Sequence, residues 1–235
     1  MSNQKIISVI LASGTGNRIS NEIPKQFLRI SGLPLIVHTL KPFESHHKID
    51  EVVIVALSSH ISKTWKLVEK HNVTKVSKIV PGGKSRQESS RIGVNACGED
   101  TGFVLIHDAA RPFVTTNFLS QIIKKVKKNN AVVPVVPSTD TVVEIDNKGT
   151  IKNIPNRLNI MRVQTPQAFK YELIKDAHDI ALKDGSTDST DDSSLVLRIG
   201  HPVFTVKGSE KNIKLTLPID MYIADKFLRE QQSPS

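Results

Sequence analysis

Four short apolar runs, set apart by segments of helical spacing, constrain this chain more than any other feature. They are Ile6–Leu11, Glu51–Leu57, Phe103–His107 and Ala131–Val136. Each is short, rich in β-branched residues and apolar at successive positions, the pattern of a strand covered on both faces. Between them lie segments with helical periodicity: Leu35–Phe43, Ile61–His71, Gln87–Ala96 and Phe118–Lys128. Strands separated by helices of this length imply right-handed βαβ crossovers and a mainly parallel sheet. In such sheets ligands bind beyond the carboxyl ends of the strands. Lys78–Val80 reads as a short strand before Gly82-Gly83. Tyr171–Asp184 and Ser193–Ile199 read as helices closed by Gly185 and Gly200. Val203–Val206 and Asn212–Thr216 read as late strands, and Pro218–Arg229 as a final helix.

The stretch Pro137–Arg162 breaks the alternation. Asp140–Ile145 and Thr150–Ile154 flank the turn signal Asn147-Lys148-Gly149, which predicts a projecting hairpin. A long hairpin with little core of its own needs something to pack on, and a second subunit is the expected support. Residues 1–230 are expected to form one domain, with 231–235 a frayed tail.

The chain has 235 residues, 38 % of them hydrophobic, which suffices for one sizeable core. No run of apolar residues is long enough to span a membrane. The segment before Ile6 lacks the basic region and cleavage site of a secretory signal, so a cytoplasmic location is expected. Cys97 is the single cysteine, which excludes an intrachain disulfide and a multi-cysteine zinc site. The formal net charge is +9. It fits an anionic ligand, either nucleic acid or a phosphorylated small molecule, and it equally fits solvated helix faces such as Lys124, Lys125, Lys127 and Lys128. Aromatic residues are only 5 % of the chain and do not interleave with the basic ones, which argues against base stacking.

Three segments carry the candidate chemistry. Leu11 to Arg18 (L-A-S-G-T-G-N-R) follows the first strand, and Pro24-Lys25-Gln26-Phe27 comes shortly after. A Gly-x-Gly loop behind a buried strand exposes backbone N–H groups to phosphate oxygens. Ile19 replaces the third glycine of a dinucleotide fingerprint, and this first loop is not a Walker loop, because no Gly-Lys-Ser/Thr ends it. Arg18 and Lys25 either neutralise a triphosphate or are two surface cations. In the second segment, His107-Asp108-Ala109-Ala110-Arg111-Pro112, Asp108 ends a buried strand. There a carboxylate holds Mg2+ against phosphates or serves as a cap. The third, Gly82 to Ser89 (G-G-K-S-R-Q-E-S), places glycines, a cation and hydroxyls before a helix, as a ligand-binding loop or as capping by Ser85.

Taken in order, A-S-G-T-G-N-R, P-K-Q-F, G-G-x-x-R-Q-x-S, H-D-A-A-R-P-F, D-T-V, T-P-Q-A-F and N-I-K-L-T resemble the IspD/TarI family over about Ile7 to Leu228. Those are cytidylyltransferases acting on 2-C-methyl-D-erythritol 4-phosphate and on ribitol 5-phosphate. The resemblance implies a Rossmann-like nucleotidyltransferase fold with a projecting β-hairpin dimerisation arm, dependence on Mg2+ and a homodimer. It implies that Arg18, Lys25 and Lys214 act on the phosphates of CTP. It further implies a nucleotide site of Ala12, Ser13, Gly14, Gly16, Gly83, Arg86 and Ser89, and Asp108 as metal ligand. The acceptor would be held by Asp108, Thr165 and the partner arm's Thr141 and Arg157. Neither nucleic acid nor a membrane is implied as a partner.

Some positions depart from the family's pattern. Ser13 stands where alanine or glycine is usual. Ile160-Met161 replaces the leucine-tryptophan pair usual in methylerythritol enzymes, and with Ile154-Pro155 and Arg157 looks closer to the ribitol branch. Arg86-Gln87, Asp108-Ala109-Ala110 and Thr190-Asp191-Asp192 with Gly208-Ser209-Glu210 look closer to the methylerythritol branch, and the balance falls there. A related transferase using another nucleotide, and a basic nucleic-acid-binding protein, are the other readings. The last leaves the glycine loop, Arg18, Lys25 and Asp108 unexplained.

Overall fold

The computed structural model describes residues 4–14, 16 and 23–232. In chain order the strands are β1 (Lys5–Ala12), β2 (Arg29–Ile30), β3 (Leu33–Pro34), β4 (Glu51–Ala56), β5 (Val76–Pro81), β6 (Thr101–Asp108), β7 (Ala131–Pro137), β8 (Glu144–Ile145), β9 (Ile151–Asn153), β10 (Met161–Val163), β11 (Gln167–Lys170) and β12 (Phe204–Lys207). The α-helices are α1 (Leu35–Ser45), α2 (Ile61–Lys70), α3 (Arg86–Asn95), α4 (Thr116–Asn129), α5 (Tyr171–Lys183), α6 (Ser193–Arg198) and α7 (Pro218–Gln232).

The main sheet runs β5-β4-β1-β6-β11-β7, with β10 beside the far end of β7 and β12 on its outer edge. The pairs β4–β5, β1–β4, β1–β6 and β7–β12 are parallel. The segment containing β10 and β11 runs the other way, antiparallel to β7 and, through β11, to β6. The expected mainly parallel α/β architecture is therefore present.

Side-chain alternation along β1 explains why the sheet is covered on both faces. Ile6 and Ile10 join a core with residues of α1, α2 and α4, including Ile36, Leu40, Val68, Leu119 and Ile122. Ile7 and Val9 point the other way, into a core with Val94, Ile174 and Val196 from α3, α5 and α6. Each such fully buried aliphatic side chain contributes roughly 1.5–3 kcal/mol. Helix α3 lies very close to the sheet: a Cβ on Gly93 would come within 2.4 Å of Val9 Cγ1 and 2.8 Å of Val55 Cγ2. Its start is fixed by Ser85, whose Oγ accepts the Glu88 N–H at 3.1 Å. A third, smaller core of Ile30, Leu35, Leu215, Ala224 and Leu228 ties α7 and the strap before it to β2 and the start of α1.

The structure differs from the expectations at four places. Asn212–Thr216 is not a strand. Leu215 is buried and its N–H bonds Ala110 O at 2.9 Å, but the segment joins no ladder. The reversed strand pair β10 and β11 was not expected. The hairpin exists, but its ladder is confined to β8 and β9, with Glu144 opposite Asn153 and Ile145 opposite Ile151. Its turn is built as expected: Asp146 Oδ1 accepts the N–H groups of Lys148 and Thr150, both at 2.9 Å, and Gly149 takes φ +80. The C-terminal helix reaches Gln232, so Gln231 and Gln232 belong to it. No helix among the described residues is long and apolar enough to cross a membrane.

Candidate active site

The carboxyl ends of β1 and β6 and the start of α3 converge on a cavity of about 460 Å³. Its walls include Ala12, Ser13 and Gly14 after β1, Gly83 and Ser89 around the start of α3, and the charged groups Lys25, Arg86, Asp108 and Lys214. Sequence reasoning named all of these. It did not assign a role to Lys84 or Gln26, which line the cavity too, although both stand inside the segments it singled out.

At one end the wall is close-packed backbone and small hydroxyls. Ser13 Oγ donates to Ser89 Oγ at 2.9 Å, and Ser89 Oγ accepts the Gly83 N–H at 3.1 Å. A Cβ on Gly82 would lie 2.2 Å from the Ser13 Cβ, and one on Gly83 would lie 2.3 Å from Glu88 Cγ. Glycine is required at position 82, where the Ser13 Cβ is fixed to its backbone, whereas at Gly83 an added Cβ would push aside the Glu88 side chain. The Ser13 hydroxyl therefore lies in the cavity wall, tied to Ser89.

The other end gathers charge. Lys214 Nζ lies 2.8 Å from Asp108 Oδ2, Arg86 Nε lies 3.6 Å from Oδ1, and Arg111 Nε lies 3.9 Å from Oδ2. Burial by itself would raise the Asp108 pKa. The Arg86 and Lys214 charges, and the Lys214 hydrogen bond, outweigh it and hold the carboxyl well below the usual carboxylate range. Asp108 is thus a fixed anion at the wall of a cavity also lined by Lys25, Lys84, Arg86 and Lys214. Lys25 is held in place by its neighbours. Gln26 Nε2 donates to Ala12 O at 2.8 Å, and the buried Phe27 stacks on His60 with ring centroids 5.2 Å apart. Lys25 Nζ itself reaches Leu215 O at 3.3 Å.

Thr165 lies behind the wall. It is 4 % exposed, its Oγ1 accepts the Asp108 N–H at 3.1 Å, and it lies 2.8 Å from His107 Nδ1. His107 Nε2 lies 3.0 Å from Arg111 O, which can only accept. The proton is therefore on Nε2, and Nδ1 takes the Thr165 hydroxyl hydrogen. Burial lowers the His107 pKa to about 4, so the ring is neutral at physiological pH. In this arrangement Thr165 gives its hydroxyl hydrogen to His107 and supports the Asp108 backbone.

A second cavity of about 280 Å³ shares Lys214 and is also lined by Arg111, Arg162, Gln164 and Glu210. Arg162 is paired with Glu210 at 2.7 Å, and Arg111 NH1 donates to Asn212 O at 2.8 Å. Two compartments, each lined by cations, thus meet at one lysine.

Not every expected site residue is gathered here. Arg18 lies outside the described residues. Gly16 adjoins the site without lining the cavity: it takes φ +73, and a Cβ there would meet the Lys25 side chain at 2.8 Å. Thr141 and Arg157 are exposed on the hairpin and line neither cavity. Around them Val142, Val143, Ile145, Ile151, Ile154 and Leu158 are also exposed. Among the described residues no group of three or more His, Cys, Asp or Glu side chains is placed to hold a metal ion.

Comparison with known proteins agrees with this geometry. The profile of the family described as "IspD: 2-C-methyl-D-erythritol 4-phosphate cytidylyltransferase" matches residues 6–230. A 2-C-methyl-D-erythritol 4-phosphate cytidylyltransferase of Clostridium botulinum (strain 657 / Type Ba4) is 42 % identical over 222 residues, covering 94 % of this chain and 96 % of that one. One from Syntrophus aciditrophicus (strain SB) is 39 % identical over 229 residues, covering 97 % of each. Among solved structures, 4-diphosphocytidyl-2C-methyl-D-erythritol synthase from Anaerococcus prevotii superposes with a TM-score of 0.84 at 29 % identity, covering 96 % of this chain and 99 % of that one. The Thermus thermophilus 2-C-methyl-D-erythritol 4-phosphate cytidylyltransferase gives 0.77 at 28 %, covering 94 % and 98 %. With its family profile matched almost end to end, its glycine wall and its cation-lined cavity at the strand ends, this chain belongs to the IspD family of cytidylyltransferases, a family of nucleotidyltransferase enzymes.

Proposed function

We propose that this chain transfers CMP from CTP to 2-C-methyl-D-erythritol 4-phosphate and releases pyrophosphate. The observation that carries the reading is the pair of cavities meeting at Lys214, with Lys25, Lys84 and Arg86 on one side and Arg111 and Arg162 on the other. The names of the relatives at 39–42 % identity support methylerythritol phosphate over ribitol phosphate as the acceptor.

The chemistry needs no protein nucleophile. An acceptor phosphate oxygen attacks the α-phosphorus in line, a new P–O bond forms, the α–β bridge breaks and pyrophosphate leaves with the electron pair. The protein supplies position and charge. The glycine wall of Gly82, Gly83 and Ser13 suits a flat base, since it lets the ligand approach backbone closely. Lys25 faces the charge that builds on the α-phosphate, and Lys214, between the cavities, orients the attacking and the attacked phosphate.

Magnesium belongs to the same proposal. Asp108 offers an ionised carboxylate on the cavity side, and one carboxylate with substrate phosphates and water is a common magnesium environment. The ion would neutralise part of the triphosphate charge. We further infer a homodimer in which the hairpin arm docks on a twin subunit. Exposed Ile145, Ile151, Ile154 and Leu158 support this, because so many uncovered apolar side chains on one projection mark an interaction surface. Thr141 and Arg157 of one arm would then reach the acceptor phosphate in the other subunit. With CTP as donor, the cytoplasm is the compartment that supplies the substrate.

A pyrophosphate-release assay with each nucleoside triphosphate, against a panel of polyol phosphates, tests the reading. The expected result is release only with CTP, and faster with methylerythritol phosphate than with ribitol 5-phosphate. The reverse order of acceptors would overturn the substrate, and no release with any pair would overturn the activity.

A further inference from the structure

Asp192 is 0 % exposed and lines none of the cavity, yet it is wired to it. Its Oδ2 lies 2.9 Å from Arg86 NH2, while Nε of the same guanidinium faces Asp108 Oδ1 at 3.6 Å. One arginine thus spans two carboxylates, one deep in the protein and one on the cavity wall. The longer contact exceeds hydrogen-bond range, so Asp108 Oδ1 is approached but not clamped. Left alone, an arginine prefers a two-pronged grip on a carboxylate.

Asp192 cannot follow Arg86, because it sits in a built socket. Its N–H donates to Gln167 Oε1 at 3.0 Å, Ser90 Oγ donates to its Oδ1, and His178 Nε2 stands 3.5 Å from the same oxygen. Ser193 N–H also reaches Gln167 Oε1, at 3.2 Å. Burial alone would push the carboxyl up; the Arg86 charge and the His178 contact overcome it and hold its pKa at about 2. A carboxylate kept charged with no exposure costs several kcal/mol in desolvation. A cost of that size at a residue set behind the cavity wall and bonded to one of its cations calls for a role in the site.

We propose that Asp192 is a positioning residue for the transfer reaction: it anchors Arg86 at the far end of the guanidinium and so keeps Arg86 from closing on Asp108. The proposal rests on the reading of Asp108 and Lys214 as the phosphate end of the cavity. With the anchor gone, Arg86 swings to a two-pronged grip on Asp108, competes with Lys214 and displaces charge from the reacting phosphates. The cytidine end, built from Ser13, Gly83 and Ser89, is untouched. A positioning loss therefore appears in kcat and leaves nucleotide binding in place.

The experiment is a double-mutant cycle on Asp192→Asn, Arg86→Gln and the pair together, measured as kcat, KM for CTP and CMP affinity by calorimetry. The parent must first show pyrophosphate release; if it does not, the functional reading has failed and not this one. Asp192→Asn should lower kcat at least tenfold with CMP affinity within threefold of the parent. The pair should be no slower than Arg86→Gln alone, since Asp192 acts only through Arg86. The pair also removes both charges together, which protects its fold. Arg86→Lys keeps a cation for Asp192 but lacks the fork that spans two carboxylates, and it should lose kcat like Asp192→Asn. The idea is overturned by Asp192→Asn or Arg86→Lys keeping kcat within twofold, by losses that multiply in the pair, or by CMP affinity falling in step with kcat.

Discussion

The Lys214 ammonium lies 2.8 Å from the Asp108 carboxylate, and this contact closes the site by joining the strap before α7 to the end of β6. Lys214 has no ladder to hold it. It is placed by Leu215, buried among Ile30, Leu35 and Leu228, and by the Leu215 N–H bond to Ala110 O. A flexible cation is thereby fixed between the two cavities.

Replacing it should therefore hurt both substrates. Lys214→Ala is expected to lower kcat/KM for CTP and for the acceptor alike, by a factor on the order of 10² or more. Steady-state kinetics with each substrate varied in turn would check this. A loss confined to one substrate would place Lys214 in one compartment only.

Lys25→Ala should abolish turnover with little loss of fold. The loop is anchored by Gln26 on Ala12 O and by Phe27 on His60, not by the lysine stem. The expected kcat loss is on the order of 10² or more if the ammonium meets charge mainly in the transition state. Thermal unfolding alongside kinetics decides the matter: near-normal kcat in a folded variant ends the assignment.

Thr165→Val deletes the acceptor of the Asp108 N–H and the donor to His107 Nδ1 in one step. Each unmet buried group costs about 1–3 kcal/mol. The melting temperature should fall by several degrees, roughly 2–4 °C per kcal/mol for a chain of this size. Thr165→Ser keeps the hydroxyl and should stay near the parent. Equal melting temperatures for all three would show that the buried hydrogen-bond chain stabilises nothing.

The sequence made the sheet and the cavity legible for a simple reason: strands buried on both faces must be apolar along their length, and sites lie at their ends. Ile6–Leu11 and Phe103–His107 announce themselves, and Ser13, Lys25, Gly83 and Asp108 follow directly after such runs or close by. The reversed strand was not legible. Gln167–Lys170 has two apolar residues between polar ends, and its strand character comes wholly from β6 and β7 on either side. Asn212–Thr216 misled because Ile213 and Leu215 alternate with polar residues, as in a strand, while packing as an unpaired strap. Asp192 stands out in the sequence only as part of the run Thr190-Asp191-Asp192, and nothing local marks it as the partner of Arg86, which starts a different helix.

The arm offers a test in which two defects cancel. If Arg157 reaches into the twin subunit, Arg157→Ala should raise KM for the polyol phosphate far more than KM for CTP. Mixing Arg157→Ala with Lys25→Ala subunits should then restore activity after exchange, because one hybrid site keeps both residues. A monomer in solution, or no recovery on mixing, would show that the arm serves its own chain.

The most direct measurement follows the phosphorus. Incubated with CTP, Mg2+ and 2-C-methyl-D-erythritol 4-phosphate, the protein should produce, by phosphorus NMR, pyrophosphate and a product with two mutually coupled phosphorus atoms in equal amounts. Unchanged CTP, or CMP and pyrophosphate with the acceptor phosphate untouched, would contradict the transfer reaction.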